Sequence, residues 1–251
     1  MSEVTVWAMA LGVLGAILGS FIAALVIRWP DDRSVMQGRS ACDGCGRILN
    51  PVELVPLLSA LVLRGRCRGC GVAISPVHWR IELAALAIGV AAGIVAPGPV
   101  GIAGAVFGWL LLALASLDLV AFWLPDRLTL LLALAGLASA ALGIEPPIAE
   151  RLIGGAAGFG ILWLVAFGYR RLRGRDGMGG GDPKLFGAIG LWLGWQMLPS
   201  VLLIASMIGL GVVLAAHLKG RAIAADTALP FGALLAIAAY PAWLFMIASG
   251  G

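Results

Sequence analysis

Charge is what this sequence has least of. Asp, Glu, Lys and Arg supply only 12% of its 251 residues, against 61% hydrophobic residues and a mean hydropathy of +1.02. A soluble core of this size cannot hide so much apolar surface, so lipid is expected to be the solvent for most of the chain. Histidine is rarer still. Its two copies, His78 beside Trp79 and His217 beside Lys219, sit at the ends of apolar runs and read as interfacial residues rather than ligands or bases. A basic stripe is also missing: the net charge is +4, but the cations lie between apolar runs, which excludes a nucleic-acid footprint and points to membrane orientation. The first apolar run follows Glu3 rather than a basic segment and ends at Arg28 with no small-residue cleavage site, so it is expected to be a retained helix. No internal repeat stands out, and no G-x-G-x-x-G dinucleotide fingerprint is present. Glycine, in contrast, is plentiful at 36 residues and suits membrane helices that pack closely through small side chains.

Apolar stretches long enough to approach a hydrocarbon layer of ~30 Å fall at residues 4–27, 81–96, 100–117, 127–144, 152–169, 185–197, 199–217 and 229–248. The expected fold is therefore an all-α, polytopic integral membrane protein of about eight transmembrane helices. Eight spans starting outside put residues 28–80, 118–127, 170–184 and 218–228 on one side. Those segments carry 16 of the 17 Lys and Arg residues, from Arg28 to Arg221, leaving only Arg151 opposite. By the positive-inside rule that side is cytoplasmic and both termini are extracytoplasmic. The expected domain organisation is a first transmembrane helix over 1–27, a small cytoplasmic insertion over 28–80, and a second membrane domain over 81–251.

The insertion holds all four cysteines as two C-x-x-C pairs, Cys42 with Cys45 and Cys67 with Cys70, each followed by glycine. Two such knuckles at zinc-ribbon spacing place four thiolates around one tetrahedral ion. A reducing cytoplasm disfavours the alternative of disulfides. Four protein ligands leave no open position for water, so the predicted zinc is structural, compensating a segment too poor in large apolar residues to fold alone.

Two acidic sites interrupt the apolar background. Asp118 is the single ionisable group between Leu111 and Leu124, and Pro125-Asp126 follows it. A carboxylate at the membrane face is a functional candidate, whereas Asp126 also reads as an N-cap or first-turn acid. The second site is Gly177-Met178-Gly179-Gly180-Gly181-Asp182-Pro183-Lys184, in which Asp182 could also serve as an N-cap with Pro183 at the first helical position. Asp118 and Asp182 fall on the same predicted face. Two close carboxylates share a proton, so one can act as base on water and the other as acid, which is what metal-free peptide hydrolysis requires.

In this order the motifs resemble the bacterial type IV prepilin peptidases, membrane aspartic proteases of the GxGD type. The resemblance runs through Gly19-Ser20-Phe21, Arg28-Trp29-Pro30, the cysteine pairs and Asn50-Pro51. It continues through the segment from Leu63 to Arg68, Ile74-Ser75, Glu82, Asp118 with Pro125-Asp126, the Gly179 to Lys184 box, and Leu229-Pro230-Phe231-Gly232. It implies a catalytic dyad of Asp118 and Asp182, with Gly179, Gly181, Lys184 and Asp126 at the substrate. It also implies cleavage of a basic leader from type IV prepilins and type II secretion pseudopilins at the cytoplasmic face of the inner membrane. Methylation of the new N-terminus by S-adenosylmethionine is implied as well. The sequence departs from the family pattern at Ala23, at Val77-His78-Trp79 and at Asp176, the first two of which weaken the methyltransferase inference. The competing readings are a peptidase without methylation, a proton-coupled transporter and a membrane-tethered zinc-ribbon adaptor. Neither carboxylate is expected at the bilayer midplane and no inverted repeat is visible, which argues against the transporter; the adaptor leaves Asp118 without a purpose. Valine in place of Gly179 or Gly181 is expected to block cleavage, and valine in place of Gly174 to be tolerated, because only backbone lacking Cβ lets two chains approach closely.

Overall fold

The computed structural model describes residues 2–36, 39–42, 44–175, 177–220 and 229–250. Asp176 and Arg221, which entered the sequence reading, lie outside the described residues. The protein is all-α. Among the described residues there are nine α-helices and two short 3-10 turns, Trp29–Asp31 and Pro51–Leu54, and the only β pairings are two isolated bridges.

Each of the eight apolar stretches is a helix: α1 Glu3–Arg28, α3 Val77–Val95, α4 Pro99–Ala121, α5 Asp126–Ala141, α6 Ile148–Arg173, α7 Gly181–Leu193, α8 Leu198–Leu218 and α9 Phe231–Ala248, with the short α2, Leu58–Val62, in the insertion. Six are long and apolar enough to cross a membrane, which makes this a multi-pass membrane protein. The two that fall short are α5, with 16 residues, and α7, with 13. At ~1.5 Å per residue they reach roughly 24 and 20 Å, less than the ~30 Å of a hydrocarbon layer. Helices α3 and α6 overrun their apolar stretches because hydropathy marks only the lipid-immersed part. Backbone hydrogen bonding continues beyond it, through Glu150 at one end of α6 and Arg170, Arg171 and Arg173 at the other.

The chain forms two compact units, Met1–Ala113 and Leu114–Gly251, with the boundary inside α4. In the first, α1 packs along α3. A Cβ at Gly15 would overlap the backbone of Ala85, and one at Gly89 the backbone of Leu11, so the contact depends on small residues. The indole of Trp109 donates to the Ala85 carbonyl at 2.9 Å.

In the second unit α7 is the central element. It packs against α5, α6, α8 and α9, and Leu185, Phe186, Ile189 and Leu193 are almost wholly buried. Two polar anchors hold its C-terminal turns. Trp192 donates to the Leu132 carbonyl at 2.7 Å. Arg151, 1% exposed, donates to the carbonyls of Gly136, Ile144, Glu145, Pro146 and Leu191 and to the hydroxyl of Ser139, all at 2.7–3.0 Å. By sequence alone Arg151 is only the one cation opposite the other 16. The structure shows a guanidinium that satisfies the carbonyls where α5 ends, α6 begins and α7 finishes.

Candidate active site and candidate metal centre

Asp118 lies in the last turn of α4, whose end is marked by Phe122 at φ +50°. Its side chain is 5% exposed, and Oδ2 accepts the backbone N–H of Ala233 at 2.7 Å. Asp182 is equally buried. It is the second residue of α7, and its Oδ2 accepts the N–H of Gly179 at 3.1 Å. The N-cap is Gly180, so the expectation of Asp182 at that position is corrected: the helix starts earlier, and the aspartate reaches back over the glycine turn instead of capping it.

The element that joins the two acids is the start of α9. A Cβ built on Gly232 would lie 3.0 Å from Oδ1 of Asp182 and 3.1 Å from Oδ2 of Asp118. Those two oxygens are therefore no farther apart than the sum of these distances, with a single Cβ-less residue between them. The N-termini of α7 and α9 both open here, so unpaired N–H groups and the positive ends of two helix dipoles favour negative charge at the site. The pair is thus dehydrated, close, and supplied with donors from Gly179 and Ala233. Such an arrangement can activate water at one carboxyl and donate a proton from the other.

Gly232 and Ala233 are the site residues that sequence reasoning left without a role. The signal was a glycine in the first turn of an apolar helix directly after Pro230-Phe231, and nothing local says what approaches it.

The other predicted site residues fall around this centre in different ways. Asp126 is the first residue of α5, in keeping with the first-turn reading, and its Oδ1 accepts from Nζ of Lys184 at 2.7 Å; both side chains are exposed, at 72% and 48%. At Gly179 an added Cβ would lie 3.3 Å from Oδ2 of Asp182, and at Gly181 it would lie 2.8 Å from Cβ of Leu124. The structure therefore gives Gly181 a packing reason for lacking a side chain. Gly174 caps α6 with φ +68°, a left-handed conformation that valine resists, so the substitution expected to be tolerated there carries a backbone cost of its own.

In the first unit the two cysteine pairs form matching knuckles. Cys42 N–H donates to the Arg47 carbonyl and Gly46 N–H back to the Cys42 carbonyl; Cys67, Val72 and Gly71 repeat the pattern. Gly46 and Gly71 take φ +67° and +71°, which is why each pair is followed by glycine. The four Sγ atoms lie within 4.8 Å of one another, with Cys42 and Cys70 at 3.8 Å, and no disulfide joins them. A tetrahedron with metal–sulfur bonds of ~2.3 Å has edges of about 3.8 Å, so the geometry fits one metal ion. The amides of Cys70 and Gly69 pull the Cys67 thiol down to about 6, toward the thiolate that a metal needs. Arg47 and Glu53 brace the first knuckle through a double hydrogen bond of 3.1 and 2.6 Å.

Comparison with known proteins places this architecture in a class. Residues 105–214 match the Type IV leader peptidase family, Peptidase A24, and residues 13–95 match the Bacterial Peptidase A24 N-terminal domain. The chain is 40% identical over 252 residues to a protein named prepilin leader peptidase/N-methyltransferase from Burkholderia pseudomallei strain K96243, covering 89% of this chain and 81% of that one. It is 40% identical over 229 residues to a protein of that name from Aeromonas hydrophila, covering 86% and 77%. A Klebsiella pneumoniae protein of the same name is 39% identical over 207 residues, covering 80% and 91%. No solved structure matches the chain. The chain belongs to the Type IV leader peptidase family.

Proposed function

We propose that this protein is a membrane aspartic endopeptidase that removes the leader of type IV prepilins and type II secretion pseudopilins at the cytoplasmic face of the bacterial inner membrane, and then methylates the exposed N-terminal amine. The observation that carries the peptidase reading is the convergence of buried Asp118 and Asp182 on Gly232. The names of the relatives, which couple the two activities, support the second step.

In this mechanism the ionised member of the dyad takes a proton from water while the protonated member hydrogen-bonds the scissile carbonyl. The resulting hydroxide adds to the carbonyl carbon, and the proton returns to the departing amine. Gly232 keeps the space between the acids open to an extended peptide. Gly179 holds Asp182 in place through its amide. Lys184 and Asp126 form the exposed polar rim that we assign to the substrate's polar leader. Zinc held by Cys42, Cys45, Cys67 and Cys70 organises the loop and takes no part in hydrolysis. S-adenosylmethionine supplies the electrophilic methyl group for the second reaction. The cytoplasmic placement rests on the distribution of Lys and Arg.

The test is cleavage of a purified prepilin. Asp118→Asn and Asp182→Asn each lower the rate by about 10³-fold or more while the protein still inserts and folds. Asp126→Asn, which breaks only an exposed ion pair, costs under about tenfold. Near-normal cleavage by either of the first two variants refutes the dyad.

A further inference from the structure

The segment between the two cysteine pairs carries an apolar face that neither the metal site nor the dyad uses. Val52, Leu54, Val55, Leu58, Leu61 and Val62 are between 38% and 79% exposed. The one ionisable residue from Val52 to Val62 is Glu53, whose side chain is 5% exposed and paired with Arg47. Leu58, Leu61 and Val62 stand at i, i+3 and i+4 and so share one face of α2, whereas Ser59 and Ala60 are half-buried. A patch of this kind on a loop surrounded by water is uncommon and marks a surface that something apolar covers. Two contacts fix its level along the membrane helices. The N–H of Leu57, directly before α2, donates to Oε2 of Glu82 at 2.8 Å, and Glu82 lies in the second turn of α3. The backbone of Glu82 lies in turn against Gly19 of α1, where an added Cβ would come within 2.7 Å of the Glu82 Cα. Both helices are long and apolar enough to cross a membrane. A crossing takes ~20 residues, which counted from Glu3 extends past Gly19. The start of α2 is therefore held beside the membrane-crossing part of α1 and does not stand clear of the bilayer.

We propose that residues 52–62 are an interfacial membrane anchor: their aliphatic face is immersed at the boundary between headgroups and acyl chains, and Arg64, Arg66 and Arg68 meet the phosphates of anionic phospholipids. The charge pattern fits that occupant. The immersed stretch brings no unpaired charge with it, because Glu53 is neutralised by Arg47. The three arginines that follow α2 are all exposed, and guanidinium groups match phosphate oxygens in a planar fork. Trp79, in the first turn of α3, is 41% exposed with the Arg80 guanidinium 5.6 Å from its ring, an arrangement typical of the aromatic belt at a membrane surface. With five residues α2 is too short to hold itself as a helix, so the lipid supplies the cover that its outer face lacks. Cys67 follows shortly after Val62, so the anchor also keeps the second cysteine knuckle, and any metal bound there, at the bilayer surface.

The experiment replaces Leu61, and in a second protein Leu58, by the fluorescent amino acid acridonylalanine in the full chain. Each protein is placed as a single copy in nanodiscs of phosphatidylcholine with or without phosphatidylglycerol, and wild-type metal content and melting temperature certify its fold. Both reporters lose most of their emission to a nitroxide carried high on the lipid acyl chain and little to aqueous iodide, as for side chains ~5–10 Å into the headgroup and acyl boundary. Phosphatidylglycerol strengthens the lipid quenching, and Arg64→Gln combined with Arg66→Gln removes that gain. Quenching by iodide and not by lipid places the face in water and overturns the anchor. Shielding from both quenchers means that protein covers the face, which overturns it equally; shielding that appears only with two chains per disc identifies a second copy as the occupant. Lipid quenching that is the same with and without phosphatidylglycerol refutes the arginine–phosphate contact.

Discussion

At the scale of single residues, the site is governed by which positions lack a side chain. Gly232 stands between the two acids, so Gly232→Ala puts a methyl group about where the substrate backbone and both carboxylates meet. Displacing a reacting group by about 1 Å costs on the order of 100-fold in rate, and that loss is expected in kcat with the melting temperature little altered. The neighbouring glycines separate by surroundings. A Cβ on Gly180 meets nothing within 4 Å and the residue has an ordinary φ of −64°, so Gly180→Ala should cleave like the wild type. Gly181→Ala pushes on Leu124 and should be impaired. A single cleavage assay over the three variants checks this order, and equal behaviour would mean that the box acts only as a flexible linker. Asp118 was legible in the sequence because a lone carboxylate in an apolar run announces itself. Gly232 was not, since its importance comes from two acids 50 and 114 positions earlier in the chain.

At the scale of elements, α7 is too short to cross a bilayer alone and depends on its neighbours for placement. Arg151 supplies part of that placement by satisfying carbonyls of α5, the turn after it and α7. Arg151→Met leaves those groups unpaired in a buried setting and should cost about 3 kcal/mol or more, read as a lowered melting temperature in detergent. Arg151→Lys, which lacks the planar fork, should recover little. The cysteine segment behaves as an element in the same sense. Its knuckles have few large apolar side chains to hold them, so Cys42→Ser or Cys67→Ser should lower metal content and thermal stability together, and the wild type should carry one zinc per chain. Four titratable thiols and no metal in the native protein would refute the zinc assignment. The knuckles were readable from C-x-x-C-G spacing because the turn is local. The role of Arg151 was not, because five carbonyls from three elements define it.

At the scale of the whole molecule, the parity of the crossings sets the side of the C-terminus, and their count sets the side of residues 170–184, which share a face with residues 118–127 only when all eight helices cross. Eight helices or the six that are long enough both return the C-terminus to the side of the N-terminus. With eight crossings 16 of 17 Lys and Arg residues fall on the opposite side, so a C-terminal alkaline phosphatase fusion should be active in the periplasm and a C-terminal green fluorescent protein fusion dark. The reverse pattern would invert the proposed orientation and put the dyad on the wrong face for a cytoplasmic leader.

The sequence by itself determined the membrane character, the positions of eight helices, the four-thiolate cluster and the two acids, because each depends on composition or on spacing within a short segment. It misplaced the start of α7 relative to Asp182 and did not show the left-handed cap at Gly174, since helix caps are set by backbone angles that hydropathy does not report. Only the tertiary structure decided that α9 delivers Gly232 and Ala233 to the acids and that Arg151 ties together three helix ends. Those are contacts between residues distant in the chain, and their energies come from burial and hydrogen-bond geometry that exist only once the helices have packed.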